Sequence, residues 1–110
     1  MTLTVRDLAH ARAGDKGHMV NVSVIAYDSA SYERLLRELT EVRVMAAFAP
    51  VADGPARRYL LPNLLAMNFV IERVRGGGVT ATAALDIHGK SLSALMLSIR
   101  LPGNEPEPPA

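Results

Sequence analysis

Between Val20 and Tyr27 the side chains alternate without interruption. Val20, Val22, Val24 and Ala26 fall on one side, and Asn21, Ser23, Ile25 and Tyr27 on the other. This period of two is the signature of a strand with one face in a core. Residues 3–9 read as an earlier strand, with Leu3 and Val5 set against Thr2, Thr4 and Arg6. The polar loop 12–18 lies between the two and predicts an antiparallel pair with a long connection.

The period then changes. Tyr32, Leu35, Leu36 and Leu39 recur at i, i+3, i+4 and i+7 behind capping residues at 28–31, while Glu33, Arg34, Arg37 and Glu38 form the wet face of a helix. Thr40 reads as a fresh N-cap with Glu41 in the first turn, where an acid suits the helix dipole. The second, short helix runs to about Phe48, burying Val44, Met45 and Phe48, and Pro50 stops it. Residues 51–55 form a turn-rich loop, and 57–61 a short strand closed by Pro62.

Two patterns compete over 63–75. Leu65, Met67, Phe69 and Ile71 alternate as a strand would; Leu64, Met67, Ile71 and Val74 form a helical stripe with Asn63 as N-cap and Gly76 at C′. The capped helix is the preferred reading. After three glycines at 76–78, residues 79–86 alternate as a strand. His88-Gly89 makes a two-residue turn, and 92–101 returns as a last strand with Leu95, Leu97, Ile99 and Leu101 on one face. Residues 102–110 hold four prolines and two glutamates without a large apolar side chain, which predicts a disordered tail.

The expected architecture is therefore α+β, a two-layer sandwich with a mainly antiparallel sheet and helices on one face, folded as one domain over 1–101. The second sheet face would carry Ile25, Tyr27 and Met96 among Asn21, Ser23, Thr80 and Thr82. That mixture is too apolar for a solvated face and too polar for a core, so it predicts an interface with a second copy or a larger partner.

Composition narrows the function classes. The 110 residues carry 12 basic and 11 acidic side chains, a net charge of +1. Such a balance gives no basic stripe for nucleic acid. The chain has no cysteine, which excludes disulfides, thiolate metal ligands and thiol nucleophiles. Its three histidines show no metal-ligand spacing, and neither a metal nor a cofactor is expected. The longest apolar stretch, 59–71, is interrupted by Pro62, Asn63 and Asn68 and is too short to span a bilayer. The first residues lack the layout of a signal peptide, which makes a cytoplasmic location the expectation.

Residues 11–21, Ala-Arg-Ala-Gly-Asp-Lys-Gly-His-Met-Val-Asn, concentrate the candidate chemistry. Backbone N–H groups around Gly14 and Gly17 could form an anion nest, with Arg12 or Lys16 adding charge. The competing reading is a tight loop in which Asp15 caps its own turn. Asn21 and Asn68 sit in apolar surroundings and need partners, either backbone groups or a bound carbonyl or carboxylate. Asp86, His88 and Lys90 surround one turn, where an exposed histidine has neither an orienting acid nor a cleft. No Ser-His-Asp set or carboxylate dyad is legible.

Six blocks carry a resemblance: 11–17, Asn-Val-Ser-Val-Ile-Ala at 21–26, Leu-Pro-Asn-Leu at 61–64, Asn-Phe-Val at 68–70, Gly-Gly-Gly-Val at 76–79 and Asp-Ile-His-Gly-Lys at 86–90. In this order and spacing the chain resembles the C-terminal domain of the acyclic terpene utilisation protein AtuA over nearly its whole length, the tail excepted. The resemblance implies a ferredoxin-like fold, here in a chain of its own, and a place in breakdown of acyclic isoprenoids through acyl-CoA intermediates. It marks Arg12, Asp15, Lys16, Asn21, Asn63, Asn68, His88 and Lys90 as a candidate ligand-binding or junction site without assigning roles. His18 stands where the family pattern has Asp, which argues against an acid acting there as catalyst or metal ligand. Two functions follow as expectations. One is a small accessory subunit working with an AtuA-type large subunit, and the other a non-catalytic module that forms a homodimer. A stand-alone enzyme is less in keeping with so small a domain.

Overall fold

The computed structural model describes residues 3–16, 19–73 and 92–101, and of residues 15 and 16 the backbone. The chain opens with a short strand β1 (Leu3–Thr4) and one helical turn α1 (Val5–Leu8), then runs through β2 (Ala9–Lys16), β3 (Met19–Ala26), α2 (Ser29–Glu38), α3 (Glu41–Phe48), β4 (Ala56–Leu61), a 3-10 turn (Pro62–Leu64) and β5 (Ala66–Ile71). Helix α4 (Leu92–Leu97) and β6 (Arg100–Leu101) complete the described part. Four strands form an antiparallel sheet in the order β2-β3-β5-β4, and β1 pairs with β6. The helices cover one face of the sheet, and the result is the two-layer α+β sandwich that the hydrophobic pattern predicts.

That pattern explains the core. The inward positions of β3 (Val20, Val22, Val24) meet Ile71, Phe69 and Met67 across the β5 register, all of them buried. Tyr32 and Leu35 from α2, Leu39 just past its end, and Val44 and Phe48 from α3 join them in one core. Asp28 caps α2 by accepting the Ser31 N–H at 2.8 Å, and Thr40 caps α3 by accepting the Arg43 N–H at 3.2 Å, both as the sequence suggests. Met45, expected inside, is 41% exposed, because it is turned about 100° round the helix from Val44, off the buried stripe of Val44 and Phe48.

Four expectations are corrected. The strand over 3–9 breaks after Thr4, because the Asp7 carboxylate accepts the Thr4 backbone N–H (2.8 Å) and hydroxyl (3.1 Å) and starts a helical turn. The polar segment from Arg12 is no loop. It extends β2 to Lys16, paired with Met19, so only residues 17 and 18 stand between the two strands. Within the segment expected to be a helix, Ala66–Ile71 is a strand, β5: its alternation puts Met67, Phe69 and Ile71 in the core, and burial between β3 and β4 outweighs the helical stripe. Pro62 starts a 3-10 turn that ends on Leu65 at φ 52°, the left-handed conformation that closes the link into β5. Finally, 92–101 is not one strand. Leu92 and Met96 form a buried i, i+4 pair on α4, and only Ile99 and Leu101 keep the alternate spacing. Met96 thus belongs to the core and not to the second sheet face. The strand expected at 79–86, the turn at 88–89, the glycines at 76–78 and the tail at 102–110 lie outside the described residues.

Two details fix the edge of the sheet beside α2 and α3. The Arg58 guanidinium donates from its Nη1 to the carbonyls of Leu36 (3.0 Å) and Leu39 (2.9 Å), and Arg43 donates to that of Glu38 (2.8 Å). Two arginines thereby satisfy carbonyls left open where α2 ends. The Arg58 backbone N–H, pointing outward from edge strand β4, is taken by the Glu41 carboxylate at 2.7 Å. A carboxylate on an edge N–H blocks addition of a further strand at that point.

Candidate functional site

The register of the sheet sets the candidate site. Where β3 buries its valines, the opposite face presents Asn21, Ser23 and Ile25. On β2 the same face carries His10, Arg12 and Gly14; on β5, Asn68 and Val70; on β4, Arg57, Tyr59 and Leu61. Among the described residues no helix packs on it. One cross-strand row, Arg12–Ser23–Asn68–Tyr59, is polar in all its members and crosses the whole sheet. Within it the Ser23 hydroxyl donates to the Asn68 side-chain oxygen at 3.1 Å, a half-buried bond between adjacent strands. That bond directs the Asn68 amide group away from Ser23 and leaves its N–H donors for another acceptor.

A hollow of about 510 Å³, open to solvent, lies at the β2–β3 end of this face. Arg12, Gly14, Met19, Asn21, Ser23 and Val70 line it. Gly14 stands opposite Asn21 and contributes no side chain, which gives the hollow its depth. Among the described residues the Arg12 guanidinium has no ion-pair or hydrogen-bond partner. Beside the hollow, Arg57 faces Glu72 at 3.7 Å, a long and exposed ion pair. At the far end of the face the rings of His10 and Tyr27 stack, with centroids 5.9 Å apart and planes 5° from parallel. Tyr27, Tyr59 and Leu61 are 62%, 52% and 43% exposed, and with the half-buried Ile25 they give that end an apolar, aromatic character.

Of the eight residues singled out from the sequence, the structure gathers three, Arg12, Asn21 and Asn68, on this one face. Asp15 and Lys16 continue β2 beside them, paired along the backbone with Val20 and Met19. Asn63 is exposed in the 3-10 turn, beyond the end of β5 remote from Val70, and does not join the hollow. His88 and Lys90 lie outside the described residues. Sequence reasoning did not select Ser23 or Tyr59 as site residues. For Ser23 the signal was present, since the alternation of β3 puts it beside Asn21. For Tyr59 it was not, because its place in the row depends on the β4–β5 register. Of the two glycines weighed for an anion nest, Gly14 is a strand residue paired with Asn21, and Gly17 lies outside the described residues.

The described side chains include no group of three or more histidines and acids placed to hold a metal ion. Among the described residues no helix is long and apolar enough to cross a membrane. Compared with known proteins, residues 3–102 match the model of the AtuA ferredoxin-like domain. No curated protein and no solved structure matches the chain.

Proposed function

The chain belongs to the AtuA ferredoxin-like domain family, and on that premise we propose that it is a small accessory subunit that works with an AtuA-type large subunit in acyclic isoprenoid and acyl-CoA catabolism. The observation that carries this reading is the sheet face left uncovered by the described residues, polar along one row from edge to edge and hollowed beside Arg12. The Ser23–Asn68 bond, and an Arg12 without a counter-ion among the described residues, support this reading. A face that completes a site with a partner uses both: the bond fixes a donor group, and the arginine awaits an acceptor. On this reading the β2–β3 end faces the joint site, with Arg12 and Lys16 as its anion contacts.

On this reading the larger partner carries the chemistry of the joint site, and this chain supplies binding groups. Co-expression with an AtuA-type large subunit, followed by affinity capture of either chain, tests the reading. Co-purification in a fixed ratio is the expected result, and failure to associate overturns it.

A second reading is favoured by the exposed Tyr27, Tyr59 and Leu61, which gather apolar surface at one end of the same face. They fit a homodimer that buries this end and carries no chemistry. A dimer in solution that ignores the large subunit would select it.

A further inference from the structure

The groups around the hollow define a ligand class. Arg12 brings a cation without a partner among the described residues, Asn21 an amide donor, and Asn68, next to Ser23 on the adjacent strand, a second amide; the Ser23 hydroxyl gives its hydrogen to Asn68 and turns only an acceptor to the hollow. Among the described side chains of this face the one carboxylate is Glu72, and it faces Arg57. The polar side of the hollow is therefore rich in donors and poor in anions. Met19, 42% exposed, and Val70, half-buried, supply the apolar side.

We propose that this hollow binds a small organic acid. Its carboxylate is received by the Arg12 guanidinium, and its short hydrocarbon body lies along Met19 and Val70. The planar fork of a guanidinium matches the two oxygens of a carboxylate. Arg12 is the one charged side chain among the described residues that line the hollow, and with Met19 and Val70 beside it the lining suits a carboxylate with an apolar body; a phosphate dianion has no hydrocarbon for those side chains to cover. Gly14 adds to the space for the ligand by carrying no side chain. A Cβ there would meet nothing within 4 Å, so the emptiness above Gly14 is not needed for packing. The proposal rests on the reading of this face as the functional one, and it adds the chemistry of what the face receives.

The experiment is a titration of the full-length, isotope-labelled protein with hexanoate, followed by amide NMR shifts, with hexan-1-ol and inorganic phosphate as parallel probes. Hexanoate is expected to produce saturable shifts at Arg12, Asn21, Ser23 and Val70, and the other two probes to produce much weaker ones. Arg12→Gln is expected to weaken hexanoate binding about tenfold or more, without changing the remainder of the spectrum. Gly14→Val sets a branched side chain, of a kind strands accept, into the hollow close to Arg12 and Asn21. It is expected to abolish the shifts while the protein stays folded.

Equal binding of hexanol, stronger binding of phosphate, shifts confined to other surfaces, or binding indifferent to both substitutions would overturn the proposal. Association with the large subunit is read separately. A chain that joins the partner yet ignores hexanoate refutes the ligand class alone, and one that binds hexanoate yet never joins the partner refutes the accessory role alone.

Discussion

Ser23 and Asn68 stand opposite each other on β3 and β5, 45 residues apart in sequence, and are joined by a hydrogen bond of 3.1 Å from hydroxyl to amide oxygen. The pair lies on the sheet face that the described helices leave open, midway along the row that begins at Arg12. Its half-buried position shields it from full competition by water. Ser23→Ala should cost about 0.5–1.5 kcal/mol in urea unfolding, with the spectrum of the helical layer unchanged. A loss well beyond that range would mean that the bond supports the fold rather than the face.

The two described glycines make a contrasting pair. A Cβ on Gly54 would sit 2.5 Å from the Glu72 carbonyl oxygen, where the Gly54 N–H already donates to that same oxygen at 3.1 Å. Gly54→Ala must push apart the start of β4 and the end of β5, at about 1–3 kcal/mol. Gly14→Ala meets no atom and removes backbone freedom from the unfolded chain. It should leave stability unchanged or raise it by about 0.4–1 kcal/mol. Thermal melts of the two variants side by side check the contrast.

Arg58 ties β4 to α2 through the carbonyls of Leu36 and Leu39. In Arg58→Met the stem can still pack, but both carbonyls lose a charged donor. The expected cost is about 2–3 kcal/mol, with faster amide exchange in the last turn of α2. Glu41→Gln leaves the helix cap intact and weakens the carboxylate contact to the Arg58 N–H, so its signature should be faster exchange at that amide.

How much of this was legible in the sequence depends on whether the deciding force is local. Caps at Asp28 and Thr40 and the alternation of β3 are written within a few residues, and the structure has them as read. The 66–71 strand is decided by partners far along the chain. Met67 and Ile71 belong to the alternating set and to the helical stripe alike, and the choice is made only when Val20, Val22 and Val24 stand beside them. In the same way Leu92 and Met96 reveal a helix only once the core that receives them is known. For the site, residue types pointed to Arg12, Asn21 and Asn68, whereas Tyr59 joins their row through pairing alone.

Asp28 gives a pH test. Its carboxyl is held below the ordinary value of 3.8 by the hydrogen bond from the Ser31 backbone and then by the one from its side chain. A carboxyl whose folded-state value is depressed adds stability above its unfolded value, and that stability is lost as pH falls through the folded one. Parent and Asp28→Ala should therefore differ most near neutral pH and converge as the pH drops below about 3.8. A gap that persists unchanged into stronger acid would contradict the carboxylate cap.

On the proposed function the open sheet face, and not the helical layer, meets the large subunit. Size-exclusion chromatography with light scattering on the co-expressed chains tests it most directly, using the parent, Asn21→Arg on the open face and Val42→Glu on α3, where Val42 is 76% exposed. The account predicts a heteromer for the parent and for Val42→Glu, and its loss with Asn21→Arg while the small chain remains folded. No heteromer in any sample, or one lost with Val42→Glu and kept with Asn21→Arg, would contradict it.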